Sequence, residues 1–157
     1  AVVGNLLRAQ NATLAVSESC TGGLISHLLT EVAGSSDYFL FSGVTYSNEA
    51  KMKVLGVSRK TLDRFGAVSE QTAMEMARGA RRISGADYAV STTGIAGPDG
   101  GSPEKPVGTV CIGFAGPKEV VAWRYCLDFA DRTRNKQVFA MKALDQLRRS
   151  LSRLLET

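Results

Sequence analysis

Histidine is nearly absent from this chain: His27 is the only one in 157 residues. Long apolar runs are missing as well, and nothing approaches the roughly 20 residues that span a bilayer, so no membrane role is expected. The opening stretch AVVGNLLR, Ala1 to Arg8, lacks the basic-then-apolar layout of a signal peptide. It also begins without Met, which leaves room for preceding residues or a whole preceding domain. Cysteine is scarce and odd in number: Cys20, Cys111 and Cys126 show no Cys-x-x-Cys spacing. That pattern argues against a disulfide framework or a zinc site and for reduced thiols in the cytoplasm. Aromatics make up 7% of the chain and the net charge is only +4. Much of that charge comes from Arg78, Arg81 and Arg82 and from Arg148, Arg149 and Arg153, which suit solvated helix faces. With few aromatics among them, nucleic acid is disfavoured as a partner. A mildly basic balance also suits a small phosphorylated substrate.

What is present is ordinary for a folded domain: 44% hydrophobic and 22% charged residues, in a length that can bury a full core. Apolar periodicity predicts helices over 2–10, 22–32, from Asn48, over 58–65, from Ser69 as N-cap, and at the end of the chain. Strands are expected over 13–17, 38–46 and 87–93, then over 107–115 and 119–127 with a turn at Gly116, Pro117 and Lys118 between them. Strands separated by helices, followed by a hairpin, indicate an α/β fold with a mixed sheet and helices on both faces. With no repeat and no linker, residues 1–157 read as one domain.

The densest chemistry is SESCTGG, Ser17 to Gly23, at the end of the first strand. This puts Ser19 at the carboxyl end of a strand, where open α/β sheets place ligands. A helix beginning near Thr21 would offer amides to an anion, and Gly22 and Gly23 would let the backbone come close to it. Two readings stay open: Ser19 or Thr21 caps the helix, or Ser19 is a nucleophile. His27 lies eight residues further on, about 12 Å away along a helix at 1.5 Å per residue, so no Ser-His-Asp triad forms around Ser19. Lysine is the precedented substitute base. Lys51, in VTYSNEAK, falls in a first helical turn, whose dipole disfavours an ammonium. Tyr46 could relay a proton or hold the amine. The bland alternative is a surface lysine and a half-buried tyrosine. TTGIAGPDGG, Thr92 to Gly101, follows a strand with four glycines in its last eight residues, so Thr93 and Gly94 open either an anion nest or a flexible connector. Arg132 could meet a phosphate or pair with Asp131.

Five stretches together resemble one family: ESCTGG from Glu18, GVTYSNEAK from Gly43, GAVSE from Gly66, TGIAGPDGG from Thr93 and EKPVGTV from Glu104. It is the competence/damage-inducible CinA carboxy-terminal domain family, whose stand-alone members are nicotinamide-nucleotide amidases. The resemblance implies a three-layer α/β/α domain that forms a homodimer or larger homo-oligomer. It implies a small-molecule nucleotide substrate, hydrolysis of nicotinamide mononucleotide to nicotinate mononucleotide and ammonia, and no cofactor or metal. It puts the nucleophile on Ser19, the base on Lys51 and the assisting tyrosine on Tyr46. Thr21, Gly22 and Gly23 then form the anion-facing helix start. Asn48, Thr93 and Gly94 would orient ribose and amide, and Arg132 would meet the phosphate.

One stretch departs from the family pattern. In ADRTRNK, Ala130 replaces a glycine, Asn135 sits at an apolar step and Lys136 stands where arginine is expected. Lysine lacks the bidentate fork of arginine, so the phosphate clamp and substrate preference are open to change. Cys20 is a rival nucleophile, since a helix N-terminus would activate its thiol. The alternative from another class is an inactive nucleotide-binding or interaction module.

Overall fold

The first strand is buried along its whole length, which fixes it at the centre of the molecule. In the computed structural model, which describes residues 1–155, β1 (Leu14–Glu18) lies between β2 (Phe39–Val44) and β3 (Tyr88–Gly94), parallel to both. β4 (Thr109–Ala115) and β5 (Val120–Cys126) extend the sheet antiparallel, giving the order β2-β1-β3-β4-β5. The helices are α1 (Val2–Ala9), α2 (Leu24–Thr30), α3 (Asn48–Leu55), α4 (Arg59–Phe65), α5 (Glu70–Ser84) and α6 (Arg132–Leu155). This is the expected mixed sheet with helices on both faces.

Strand alternation sends large and small residues to opposite sides. Leu14, Val16, Val90, Val110, Ile112 and Phe114 face a core shared with α1, α2 and α6. Ala15, Ala89 and Ala115 face a second core with Leu55, Leu62, Met76, Ala77 and Ala80 from α3, α4 and α5. The small residues let α5 lie close to the sheet. A Cβ added at Gly113 would stand 2.2 Å from the Ala73 carbonyl oxygen of α5. Layer spacing is therefore written into side-chain size.

The connections place the site. The β1-to-β2 crossover carries α2 on the first face, and the β2-to-β3 crossover carries α3, α4 and α5 on the second. The strand order thus reverses at β1. The crevice at the carboxyl ends of β1, β2 and β3 is a topological switch point, the usual ligand position in open α/β sheets.

Candidate active site

Ser19 is the first residue past β1, and its N–H donates to the Thr92 carbonyl at 3.0 Å, carrying the ladder one step beyond the strand. Beside it, the buried Glu18 carboxylate accepts four hydrogen bonds: from the Thr21 hydroxyl at 2.6 Å, the Ile25 N–H at 2.9 Å, the Ser26 N–H at 3.1 Å and the Ser26 hydroxyl at 2.7 Å. Because the single Thr21 hydroxyl proton goes to Glu18, the Thr92 hydroxyl at 2.8 Å must be the donor to Thr21. The turn that carries Ser19 is pinned from both sides.

These contacts alter the expected helix start. α2 begins at Leu24, not near Thr21; the Leu24 N–H donates to the Thr21 carbonyl, and the next two amides, of Ile25 and Ser26, belong to Glu18. The anion that this helix end attracts is the protein's own carboxylate. Neither Ser19 nor Thr21 caps the helix, so the hydroxyl of Ser19 is left for Lys51.

Lys51 is 1% exposed and sits in the first turn of α3, which Ser47 caps through the Ala50 N–H. Its Nζ donates to Ser19 Oγ at 3.0 Å, to the Thr45 carbonyl at 2.9 Å and to the Tyr46 carbonyl at 3.0 Å. Burial pulls its pKa below the ordinary 10.5. The geometry serves both protonation states. An ammonium fills all three contacts; a neutral amine keeps its two N–H bonds on the carbonyls and turns its lone pair to Ser19. The tyrosine of this pair contributes its main chain to the lysine. The side chain of Tyr46 is 62% exposed, and its hydroxyl instead accepts from Arg132 Nη2 at 3.3 Å.

Ser19, Lys51, Tyr46, Thr93, Gly94 and Arg132 line one cleft of about 280 Å³, together with Ala96, Gly97 and Cys20. Thr93 is buried and donates its hydroxyl to the Ala67 carbonyl at 2.7 Å. Gly94 has no room for a side chain, because a Cβ would stand 2.6 Å from the Thr109 carbonyl oxygen and 3.1 Å from Cys20 Sγ. Arg132 does not pair with Asp131; its Nη1 donates to the Gly97 carbonyl at 2.6 Å, and Asp131 caps α6 through the Arg134 N–H. The backbone N–H groups of Ala96 and Gly97 donate to no protein acceptor among the described residues, so they are free to meet an oxyanion.

The other expected site residues lie apart. Thr21, Gly22 and Gly23 line an adjoining cleft of about 370 Å³ with His27, Thr133 and Lys136. Asn48 is exposed at the first position of α3, outside the lining of the Ser19 cleft. His27 is a surface residue paired with Glu31 at 3.3 Å. Cys20 is buried, and its thiol is pushed up to about 12, chiefly by burial, which keeps it protonated at neutral pH. Among the described residues no group of His, Cys, Asp or Glu is arranged to hold a metal ion, and no helix is long and apolar enough to cross a membrane.

Two residues of the site carried no role in the sequence reading. Glu18 was legible only as a member of a motif, although an acid just ahead of a helix start is a capping signal. Asn135 was visible as a polar residue on an apolar helix face. It is 1% exposed and bonded to Ala96, Asp128 and Phe129.

Comparison with known proteins agrees with this architecture over nearly its whole length. The family described as the CinA C-terminal domain matches residues 1–151. A CinA-like protein of Desulforapulum autotrophicum is 61% identical over 149 residues, covering 95% of this chain and 35% of that protein. A CinA-like protein of Desulfosudis oleivorans is 62% identical over 151 residues, 96% of this chain and 37% of that protein. The chain thus spans about a third of the length of these relatives. Among solved structures, a competence-damaged protein (CinA) superfamily protein from Klebsiella pneumoniae superposes with a TM-score of 0.92 at 32% identity, covering 97% of this chain and 94% of that one. A competence/damage inducible protein from Agrobacterium tumefaciens gives 0.82 at 40% identity, over 99% and 95%. The chain belongs to the CinA C-terminal domain family.

Proposed function

We propose that this domain is an amidase acting on the carboxamide of nicotinamide mononucleotide, with Ser19 as nucleophile and Lys51 as base. The observation that carries the chemistry is the buried Lys51 Nζ, 3.0 Å from Ser19 Oγ and oriented by two main-chain carbonyls. The substrate class comes from the family resemblance. The relatives named above are longer proteins, so the proposal concerns this domain.

Each step keeps its atoms. Neutral Lys51 takes the Ser19 proton as Oγ bonds to the amide carbon, and the carbonyl oxygen becomes an oxyanion. Amides of Ala96 or Gly97 receive that charge, a donation typically worth about 3–4 kcal/mol each. Lys51 returns the proton to the amide nitrogen, the C–N bond breaks and ammonia leaves. Water then attacks the ester, its proton passes through Lys51 back to Ser19 Oγ, and nicotinate mononucleotide is released. Thr93 and Gly94 shape the wall beside the carboxamide. Arg132, at the cleft mouth, meets the phosphate. The adjoining cleft with Thr21, Gly22, Gly23 and Lys136 extends the basic surface available to the nucleotide, whereas Asn48 lies outside the lining of the Ser19 cleft.

Incubation with nicotinamide mononucleotide tests the proposal. Equimolar ammonia and nicotinate mononucleotide are expected. Tight binding without ammonia would replace the amidase reading with the inactive nucleotide-binding module.

A further inference from the structure

The glycine-rich loop is held from behind by the last helix. Asn135 spends both carboxamide hydrogens there, one on the Ala96 carbonyl at 3.1 Å and one on Asp128 Oδ1 at 3.1 Å. Its own Oδ1 accepts the Phe129 N–H at 2.8 Å. Asp128 Oδ1 also accepts the Ala130 N–H at 2.9 Å, and Ala130 stands in the left-handed region at φ 57°. Two residues after Ala130, Arg132 holds the next loop carbonyl, that of Gly97, at 2.6 Å. Two consecutive loop carbonyls are therefore anchored by α6.

The geometry of a peptide unit gives this a consequence. A trans peptide is planar, with its C=O and N–H pointing in opposite directions. Tying the Ala96 C=O to Asn135 aims the Gly97 N–H away from α6, and that N–H has no protein acceptor among the described residues. Ala96 and Gly97 both line the Ser19 cleft. We propose that Asn135 is a positioning residue: its buried carboxamide fixes the Ala96–Gly97 peptide plane, so that the Gly97 N–H is presented to the oxyanion formed at Ser19. The inference rests on the amidase reading of the cleft. It gives a reason for a polar residue at a step where the family pattern is apolar.

The test compares Asn135→Leu, which keeps the volume and loses every bond, with Asn135→Ser, which is smaller and leaves more of the turn relaxed. Both are made in an Ala130→Gly background that relieves the turn and keeps the variants folded. Amide hydrogen exchange over 94–101 is measured alongside kcat, KM and the pH profile for nicotinamide mononucleotide. Exchange in the loop should accelerate at least about tenfold, with β1 and α5 unchanged. Loss of one oriented oxyanion donor should lower kcat by about a hundredfold, with KM moved by less than about threefold and the acid limb set by Lys51 unmoved. Unchanged loop exchange would overturn the proposal, as would faster exchange with undiminished kcat, or a fall in kcat that came with a shifted acid limb. Should the parent chain release no ammonia, the amidase reading fails alone. The exchange result still decides whether Asn135 fixes the loop.

Discussion

In the proposed mechanism Lys51 is the residue on which the chemistry turns, because only its neutral form can take a proton from Ser19. Burial lowers its pKa from 10.5, so kcat/KM should rise with pH along an acid limb whose midpoint lies below 10.5. A pH–rate profile measures this directly. Stability carries the same signature with a definite sign. The unfolded lysine holds its proton up to 10.5, whereas the folded one releases it earlier, so the unfolded state binds more protons across that window. Wild-type stability should therefore climb with pH between the lowered native pKa and 10.5, relative to Lys51→Met. Urea unfolding of the two proteins at several pH values checks it. The same substitution should cut turnover by at least about a hundredfold, the low end for loss of a general base. The sequence showed the serine, the lysine and the absence of a usable histidine. It could not show that Tyr46 holds the lysine through its carbonyl, since main-chain contacts leave no mark on residue type. It also attributed the shift to the helix dipole, whereas burial is the leading cause.

Element by element, sequence pattern and structure diverge most where a side chain replaces a backbone partner. The signals around Thr21 to Gly23 suggested a helix start, but the Glu18 carboxylate draws the first free amides to Ile25 and Ser26. Glu18→Gln turns one acceptor into a donor facing those amides, and this should cost about 2–3 kcal/mol, read as a lower urea midpoint. The turn before α6 shows the converse. Ala130 occupies the left-handed region at φ 57°, where an L side chain costs about 1–2 kcal/mol and glycine does not. After the extra entropy of a glycine, Ala130→Gly should stabilise by up to about 1 kcal/mol, raising the melting midpoint by about 2–4 °C. The family resemblance implied a glycine at this step; the φ angle that explains it was not legible. Ser69 is the side-chain cap that its position suggests, and Ser47 and Ser58 cap α3 and α4 in the same way, because capping is local chemistry.

For the molecule as a whole, the succession of strands separated by helices and then a hairpin was enough to expect a mixed sheet with helices on both faces. The strand order was not legible, because it depends on which face each crossover takes. Layer spacing depends on small residues facing α5. Gly113→Ala would drive a methyl into the Ala73 carbonyl, 2.2 Å from the new Cβ. Overpacking of this kind should cost about 2–3 kcal/mol, seen as a lower melting midpoint. The most direct test of the account compares ammonia release from nicotinamide mononucleotide by the parent chain, Ser19→Ala and Cys20→Ala. Release by the parent is expected, with a loss of at least about a thousandfold in Ser19→Ala and near-parental turnover in Cys20→Ala. Full activity in Ser19→Ala, or loss confined to Cys20→Ala, would contradict it.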